Sequence, residues 1–360
     1  MSKLNLLKFR LLSLHNNSIA SLRIHHHIHR IHHIHHHPRP FFFPLSKTMS
    51  SSSNPTLKLH TGAQMPQVGL GTWQAEPGQV GDAVAAALDA GYTHLDCAHC
   101  YENEAEVGAA IAAALKKGTA KSRKDIFVTS KLWNTSHAKS EVAKALDHTL
   151  KNLALEYVDL YLIHWPVAFA PGGSELTPKG ADGKVALDST PIIDTWREME
   201  KLVDAGKAKH IGVSNFTESM LADLLPQTRI RPAVNQVELH PFLPQPRLLE
   251  YCRKENIVVT AYSPLGSGKE PSPLKDETVV KIAKAHGKDA GQILVSWAVQ
   301  RGTVVLPKSV KADRIRSNRE IVKLTDDEMR ELNAIKTRKR FVDPKDFWGT
   351  DIFKGDYADN

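Results

Sequence analysis

The chain has 360 residues, 41% apolar and 24% charged, enough to bury the core of one large barrel or of two ordinary domains. Three cysteines, Cys97, Cys100 and Cys252, are too few and odd in number for a secreted disulfide scaffold, which points to a reducing compartment; no apolar run reaches the length of a bilayer span. The net charge of +8 is local: residues 1–48 carry seven basic side chains and none of the 39 acids, so the rest is nearly neutral and offers no basic face for nucleic acid.

Residues 1–48 are foreign in composition to the remainder of the chain. The stretch "IHHHIHRIHHIHHHPRPFFFP" packs nine of the 19 histidines into residues 25–37, and such a tract builds no core. It reads as an organelle presequence, as a metal-binding tract, or as upstream untranslated sequence read through to a start at Met49. Its repetitiveness favours the last. The expectation is a disordered extension absent from the mature protein, one domain over 49–360, and residence in the cytoplasm, with organelle import as the alternative.

From residue 57 short apolar runs alternate with amphipathic stretches, the order of parallel β/α units. "TLKLH" and "QMPQVGLG", joined at Thr61 and Gly62, predict a hairpin leading into a first strand near 67–71. A helix near 78–90 stops at Gly91, and "YTHLDC" is the second strand. The next helix is predicted to start with Asn103 as N-cap and Glu106 closing a capping box. Its apolar face is Val107, Ala110, Ile111, Ala114 and Leu115, and Gly118 lies past its end. "DIFVTSKLW", "YVDLYLIHWP", "KHIGVSNF", "AVNQVELHP", "IVVTAYSPLG" and "TVVLPKS" supply strands three to eight. Helices near 138–152 and 191–205 fall between them, and two more, 275–286 and 289–301, separate the last pair. Eight strands over about 250 residues is the size of a (β/α)8 TIM barrel, here a single α/β domain with an N-terminal hairpin and two extra helices. A doubly wound sheet is the alternative, weakened because "GLGTWQ" lacks the third glycine of a dinucleotide fingerprint.

Asp96, Lys131, His164, Ser214, Asn215, Gln236, Tyr262 and Lys308 all fall toward C-terminal ends of these strands. Singly each has a bland reading, such as a solvated lysine or a satisfied core histidine. Eight from seven strands are harder to dismiss, because in a barrel those ends converge on one mouth. "HLDCAHCYENE" also offers a C-x-x-C with His94 and His99 beside it. A zinc site needs four convergent ligands, and neither a second C-x-x-C nor a Cys-His pair at ligand spacing occurs elsewhere in the body. No metal is expected, and a metal-dependent hydrolase is disfavoured.

"GLGTW", "HLDCAHCYENEAEVG", "TSKLWN", "YLIHWPV", "IGVSNF", "NQVELHP", "AYSPLGSG" and "LPKSVKADRIRSN" resemble, in order, the motifs of the aldo-keto reductase superfamily from about residue 57 to 345. "LTPKGADGKVALD", "NQVELHPFLPQ" and "VDPKDFWG" look most like its fungal-type glycerol dehydrogenase and glyceraldehyde reductase branch. The resemblance implies a catalytic tetrad of Asp96, Tyr101, Lys131 and His164, with NADP(H) as cofactor. Ser214, Asn215 and Gln236 would hold the nicotinamide carboxamide and Tyr262 would stack on its ring. Thr72 and Trp73 would also border the cofactor, Ser263, Leu265 and Ser267 would pass over the pyrophosphate, and Lys308, Ser309 and Arg314 would take the 2′-phosphate, with Asn318 near the adenine. Two cations around one dianion favour NADP(H) over NAD(H).

The implied chemistry is reduction of small aldehydes and ketones, and the reverse oxidation of alcohols such as glycerol, by a monomer without membrane or nucleic-acid partners; a cofactor-binding barrel without turnover is the alternative. Tyr101, an acid of ordinary pKa about 10, would deliver the proton. A lysine cation about 4 Å away stabilises a phenolate by up to about 4 kcal/mol, so Lys131 is expected to lower that pKa, with Asp96 keeping Lys131 charged. His164 would orient the carbonyl as the neutral imidazole. Trp73, Trp133 and Trp165 are expected to line the substrate pocket, closed by the 166–190 loop and by a tail with Phe347 and Trp348. Cys100 stands where the family carries an aliphatic residue, and its oxidation is expected to inhibit.

Overall fold

Eight strands, each short and buried, pair in parallel through the middle of the chain. The structure is a computed structural model that describes residues 54–73, 75–173 and 175–355; the predicted extension lies outside them. β1 (Thr56–Lys58) and β2 (Gln64–Pro66) form the antiparallel hairpin with Gly62 in its turn at φ 92°. β3 (Leu70–Gly71), β4 (His94–Asp96), β5 (Phe127–Leu132), β6 (Val158–Ile163), β7 (Ala208–Ser214), β8 (Val234–Glu238), β9 (Val258–Tyr262) and β10 (Val304–Val305) lie side by side in chain order. The sheet closes on itself: the N–H of Val305 donates to the Gln67 carbonyl at 2.7 Å, and that of Gly69 returns to the Val305 carbonyl at 3.0 Å. This is the (β/α)8 barrel that the strand count predicts.

The helices answer the strands. Glu104–Lys117 buries Val107, Ala110, Ile111 and Ala114, and Gly118 ends it in the left-handed conformation at φ 80°. Ile192–Asp204 turns Trp196, Met199 and Leu202 to the sheet. The two extra helices are Glu277–His286 and Ala290–Gln300. Beyond β10 come Ala312–Arg319, Asp326–Asn333 and the short Lys345–Trp348. The main core lies between strands and helices, while Leu59 and Met65 of the hairpin pack with Phe127, Leu160, Val234 and Val304 inside the barrel. Phe127, Val234 and Val304 begin their strands, so the hairpin plugs the N-terminal face and leaves chemistry to the other.

One local reading fails. Asn103 precedes the helix as predicted, but its side chain makes no cap bond. Its amide donates to the Thr72 carbonyl at 2.9 Å, and the Glu106 carboxylate accepts the N–H of Gly78 at 3.0 Å. Both side chains found tertiary partners tying the helix to the loop after β3, and these displaced the local capping box.

Candidate active site

β4 ends in Asp96, β5 carries Lys131 one residue before its end, and His164 directly follows β6. Tyr101 closes a short 3-10 turn, His99–Tyr101, after β4. Lys131 is fully buried and Asp96 nearly so. The Lys131 ammonium donates to both Asp96 oxygens, Oδ2 at 2.5 Å and Oδ1 at 3.0 Å, to the Cys97 carbonyl at 2.8 Å and to the Tyr101 hydroxyl at 3.2 Å. Gln236, midway along β8, donates to Asp96 Oδ1 at 2.8 Å. The carboxylate offsets the cost of burying the ammonium, and the carboxylate, the Cys97 carbonyl and the phenol between them satisfy the cation's three donors.

His164 stands over this pair. Its ring lies 5.9 Å from that of Tyr101 and 5.3 Å from that of Trp133, and it stacks on Trp165 at an interplanar angle of 18°. Burial, followed by the Lys131 charge, drives its pKa well below 6.5, so the imidazole is neutral as the sequence reading expects. Tyr101 goes the other way. Burial and then the Asp96 carboxylate raise the phenol well above 10, which reverses the predicted depression. The reason is that burial of the phenol and the charge of Asp96 both disfavour the phenolate, and together they outweigh the neighbouring Lys131 cation.

The remaining strand-end residues join one network. Ser214 donates to the Gln236 carbonyl at 2.8 Å; the Asn215 amide donates to the His164 carbonyl at 2.9 Å; and the Tyr262 hydroxyl donates to Asn215 Oδ1 at 2.7 Å. Asn215 holds φ 64°, Ser263 φ 50° and Ser267 φ 54°, with Gly266 and Gly268 also left-handed. Ser267 donates to Ser263 at 2.6 Å, and Leu265 is half-buried beside them. Thr72 is buried with its hydroxyl on the Asp96 carbonyl at 2.8 Å, and Trp73 beside it is half-buried. Lys308 and Arg314 are exposed, Ser309 accepts the N–H of Lys311 at 3.0 Å, and Asn318 is buried on the helix Ala312–Arg319.

Above the network sits an aromatic box. Trp133, Trp165, Phe169, Trp348, Ile352 and Phe353 form one cluster, with Trp348 5.0 Å from both Trp165 and Phe169. The tail packs onto this cluster through Trp348, whereas Phe347 remains 38% exposed. Phe169, Ile352 and Phe353 escaped the sequence reading. So did Glu238, fully buried at the end of β8, which accepts the N–H groups of Phe341 and Val342 at 2.7 and 2.8 Å and the His240 ring at 2.9 Å. Its tail partners lie a hundred positions downstream, and nothing local marks them.

The C-x-x-C does not act as a unit. Cys97 is buried and Cys100 half-buried, both as free thiols. His94 bonds to Thr129 Oγ1 at 3.1 Å, and His99 packs edge-on to His148. Among the described residues no three His, Cys, Asp or Glu side chains gather as metal ligands, and no helix is long and apolar enough to cross a membrane.

A parallel barrel whose C-terminal mouth collects a buried Lys–Asp pair, a phenol and a neutral imidazole has the groups that enzymes use for proton transfer. The model of the Aldo/keto reductase family matches residues 67–337. Aldo-keto reductase family 1 member A1-A of Danio rerio is 49% identical over 298 residues, covering 80% of this chain and 92% of that protein. The human Aldo-keto reductase family 1 member A1 is 45% identical, covering 79% and 90%. Among solved structures, the aldose reductase from Schistosoma japonicum superposes with a TM-score of 0.80 at 44% identity, covering 84% of this chain and all of that one. The chain belongs to the aldo/keto reductase family, and it is an oxidoreductase.

Proposed function

We propose that the protein reduces small aldehydes, of glyceraldehyde or aldose type, with NADPH, and in reverse oxidises alcohols such as glycerol. The observation that carries this is the Lys131 ammonium bridging the Asp96 carboxylate and the Tyr101 hydroxyl beneath an aromatic box. Likeness to the aldose reductases of Schistosoma japonicum and Giardia lamblia supports a sugar-like carbonyl. The glycerol dehydrogenase branch rests on the loop strings alone.

The residues fit the cofactor. The loop 263–268 holds Ser263, Gly266, Ser267 and Gly268 at positive φ, a backbone form that turns N–H groups toward an anion such as a pyrophosphate. Asn215, pinned by Tyr262 and held at φ 64°, keeps β7 and β9 ends in register for a flat ring. Lys308, Ser309 and Arg314 would hold a 2′-phosphate. When bound, the nicotinamide supplies the hydride.

This chain supplies the proton. A phenol held neutral remains loaded as an acid across the working pH range. As negative charge develops on the substrate oxygen, Tyr101 gives its proton there, so one C–H and one O–H bond form. The phenolate left behind takes a stronger hydrogen bond from Lys131, already within 3.2 Å. His164, neutral, hydrogen-bonds and aims the carbonyl oxygen, while Trp133, Trp165 and Trp348 exclude water.

The test is NADPH consumption on DL-glyceraldehyde. Tyr101→Phe is expected to cost about 10²- to 10⁴-fold in kcat while NADPH fluorescence on binding is unchanged. If the two forms turn over equally, or both are inert across an aldehyde panel while still binding NADPH, the reading fails. Arg314→Ala is expected to weaken NADPH binding and leave NADH binding unaltered; equal weakening of both would remove the 2′-phosphate assignment.

A further inference from the structure

We propose that Cys100 is a positioning residue: its thiol donates to Nδ1 of His164 and so fixes the imidazole in the tautomer that carries its proton on Nε2. The inference rests on the reading of His164 as the group that holds the substrate carbonyl.

The Cys100 sulfur lies 3.6 Å from Nδ1, an ordinary separation for a sulfur hydrogen bond. A neutral imidazole has one donor nitrogen and one acceptor, and the partner of one decides the state of the other. A thiol donates weakly through S–H and accepts weakly through sulfur, so which way this contact runs depends on where the thiol proton sits. Burial pushes the Cys100 thiol up, so the proton stays on sulfur and is available to Nδ1. The ring's other neighbours, Tyr101, Trp133 and Trp165, offer it aromatic surface, and the single N–H of Trp133 is spent on the Leu176 carbonyl at 2.6 Å. The Asn215 amide holds His164 only by its backbone carbonyl. Among the described residues, Cys100 is thus the protein group that speaks to the ring nitrogens.

The local chain explains the placement. Cys100 and Tyr101 are consecutive in the 3-10 turn His99–Tyr101, which Glu102 closes at φ 54°. One turn therefore sets both the acid and the group that orders its neighbour. With Nδ1 accepting from sulfur, Nε2–H is left to donate to a carbonyl oxygen, and that bond strengthens as the oxygen becomes an alkoxide. An aliphatic side chain at 100 would fill the space and leave the tautomer unassigned.

The experiment is ¹⁵N NMR of the His164 ring in uniformly histidine-labelled protein, with and without NADPH, for the wild type, Cys100→Ser and Cys100→Val. A single Nε2–H tautomer is expected in the wild type and the serine variant, and a mixture in the valine variant. In parallel, kcat on DL-glyceraldehyde is expected to fall about two- to tenfold in Cys100→Val, as for one lost hydrogen bond, with KM nearly unchanged and recovery in Cys100→Ser. An Nδ1–H tautomer in the wild type overturns the proposal, as does a valine variant that keeps a pure Nε2–H form and full kcat. If valine does not fit, Cys100→Ala removes the donor without added bulk. A pure Nε2–H signal in a protein inert toward every aldehyde would leave the tautomer assignment standing and remove the reductase reading instead.

Discussion

Lys131 is the residue on which the site turns, because a fully buried ammonium must be paired. Removing it leaves the Asp96 carboxylate buried with Gln236 as its neutral donor and no cation against it. Lys131→Met is expected to cost about 3–5 kcal/mol of unfolding free energy in urea, the usual penalty for orphaning one member of a buried pair. The double variant Lys131→Met/Asp96→Leu should regain part of that stability while staying inactive. If the single variant is as stable as the wild type, the pair is not the buried unit described. At this scale the residue types were legible in the sequence, and so was the neutrality of His164. The direction of the Tyr101 shift was not, since it depends first on how completely folding strips water from the phenol and then on how near the Asp96 carboxylate lies.

At the scale of elements, two close approaches stand out, one between helices and one at the mouth. Helix Glu104–Lys117 crosses the end of the helix Val142–Leu153 so tightly that a Cβ on Gly108 would lie 2.4 Å from the Leu153 carbonyl oxygen. Alanine there gains about 1 kcal/mol of helix propensity but must push a backbone aside. Gly108→Ala is therefore expected to destabilise by a net of about 1–3 kcal/mol, read as a lower Tm; a rise would mean the helices separate freely. The tail is the second case. Glu238 pins it by two backbone N–H groups, and Trp348 then completes the wall with Trp133 and Trp165. Trp348→Ala is expected to raise KM for small aldehydes about two- to tenfold, the worth of one aromatic contact, with kcat less affected. Unaltered KM would separate the tail from the substrate. The strand and helix order was readable from periodicity. The capping box at Asn103 was misread because Thr72, thirty-one positions earlier, offered a better acceptor.

The whole molecule carries a pH signature that no single element shows. His94 and His137 are fully buried with pKa lowered to about 4, and His164 is held well below 6.5, in each case first by desolvation. Below 6.5 the unfolded chain binds a proton at each of these rings and the folded chain does not. Stability is therefore complete above pH 6.5 and is lost as pH falls toward 4, by up to about 1.4 kcal/mol per pH unit for each ring. His137, whose two ring nitrogens have no hydrogen-bond partner, is the cleanest probe. Urea unfolding of His137→Leu at pH 7, 6 and 5 should show a slope shallower than the wild type by about that amount; parallel slopes would mean the imidazole protonates in the folded state.

The sequence by itself determined the barrel and the strand ends at which its polar residues sit. Alternation of apolar runs with amphipathic helices admits few closed solutions, and parallel strands point their C-terminal ends one way. Only the tertiary structure decided what those residues do to one another: that the phenol is held neutral, that Cys100 faces an imidazole nitrogen, and that Glu238 reaches across a hundred residues to fasten the tail. Such facts depend on distances and on water excluded by folding, and a linear order of side chains encodes neither until the chain has closed.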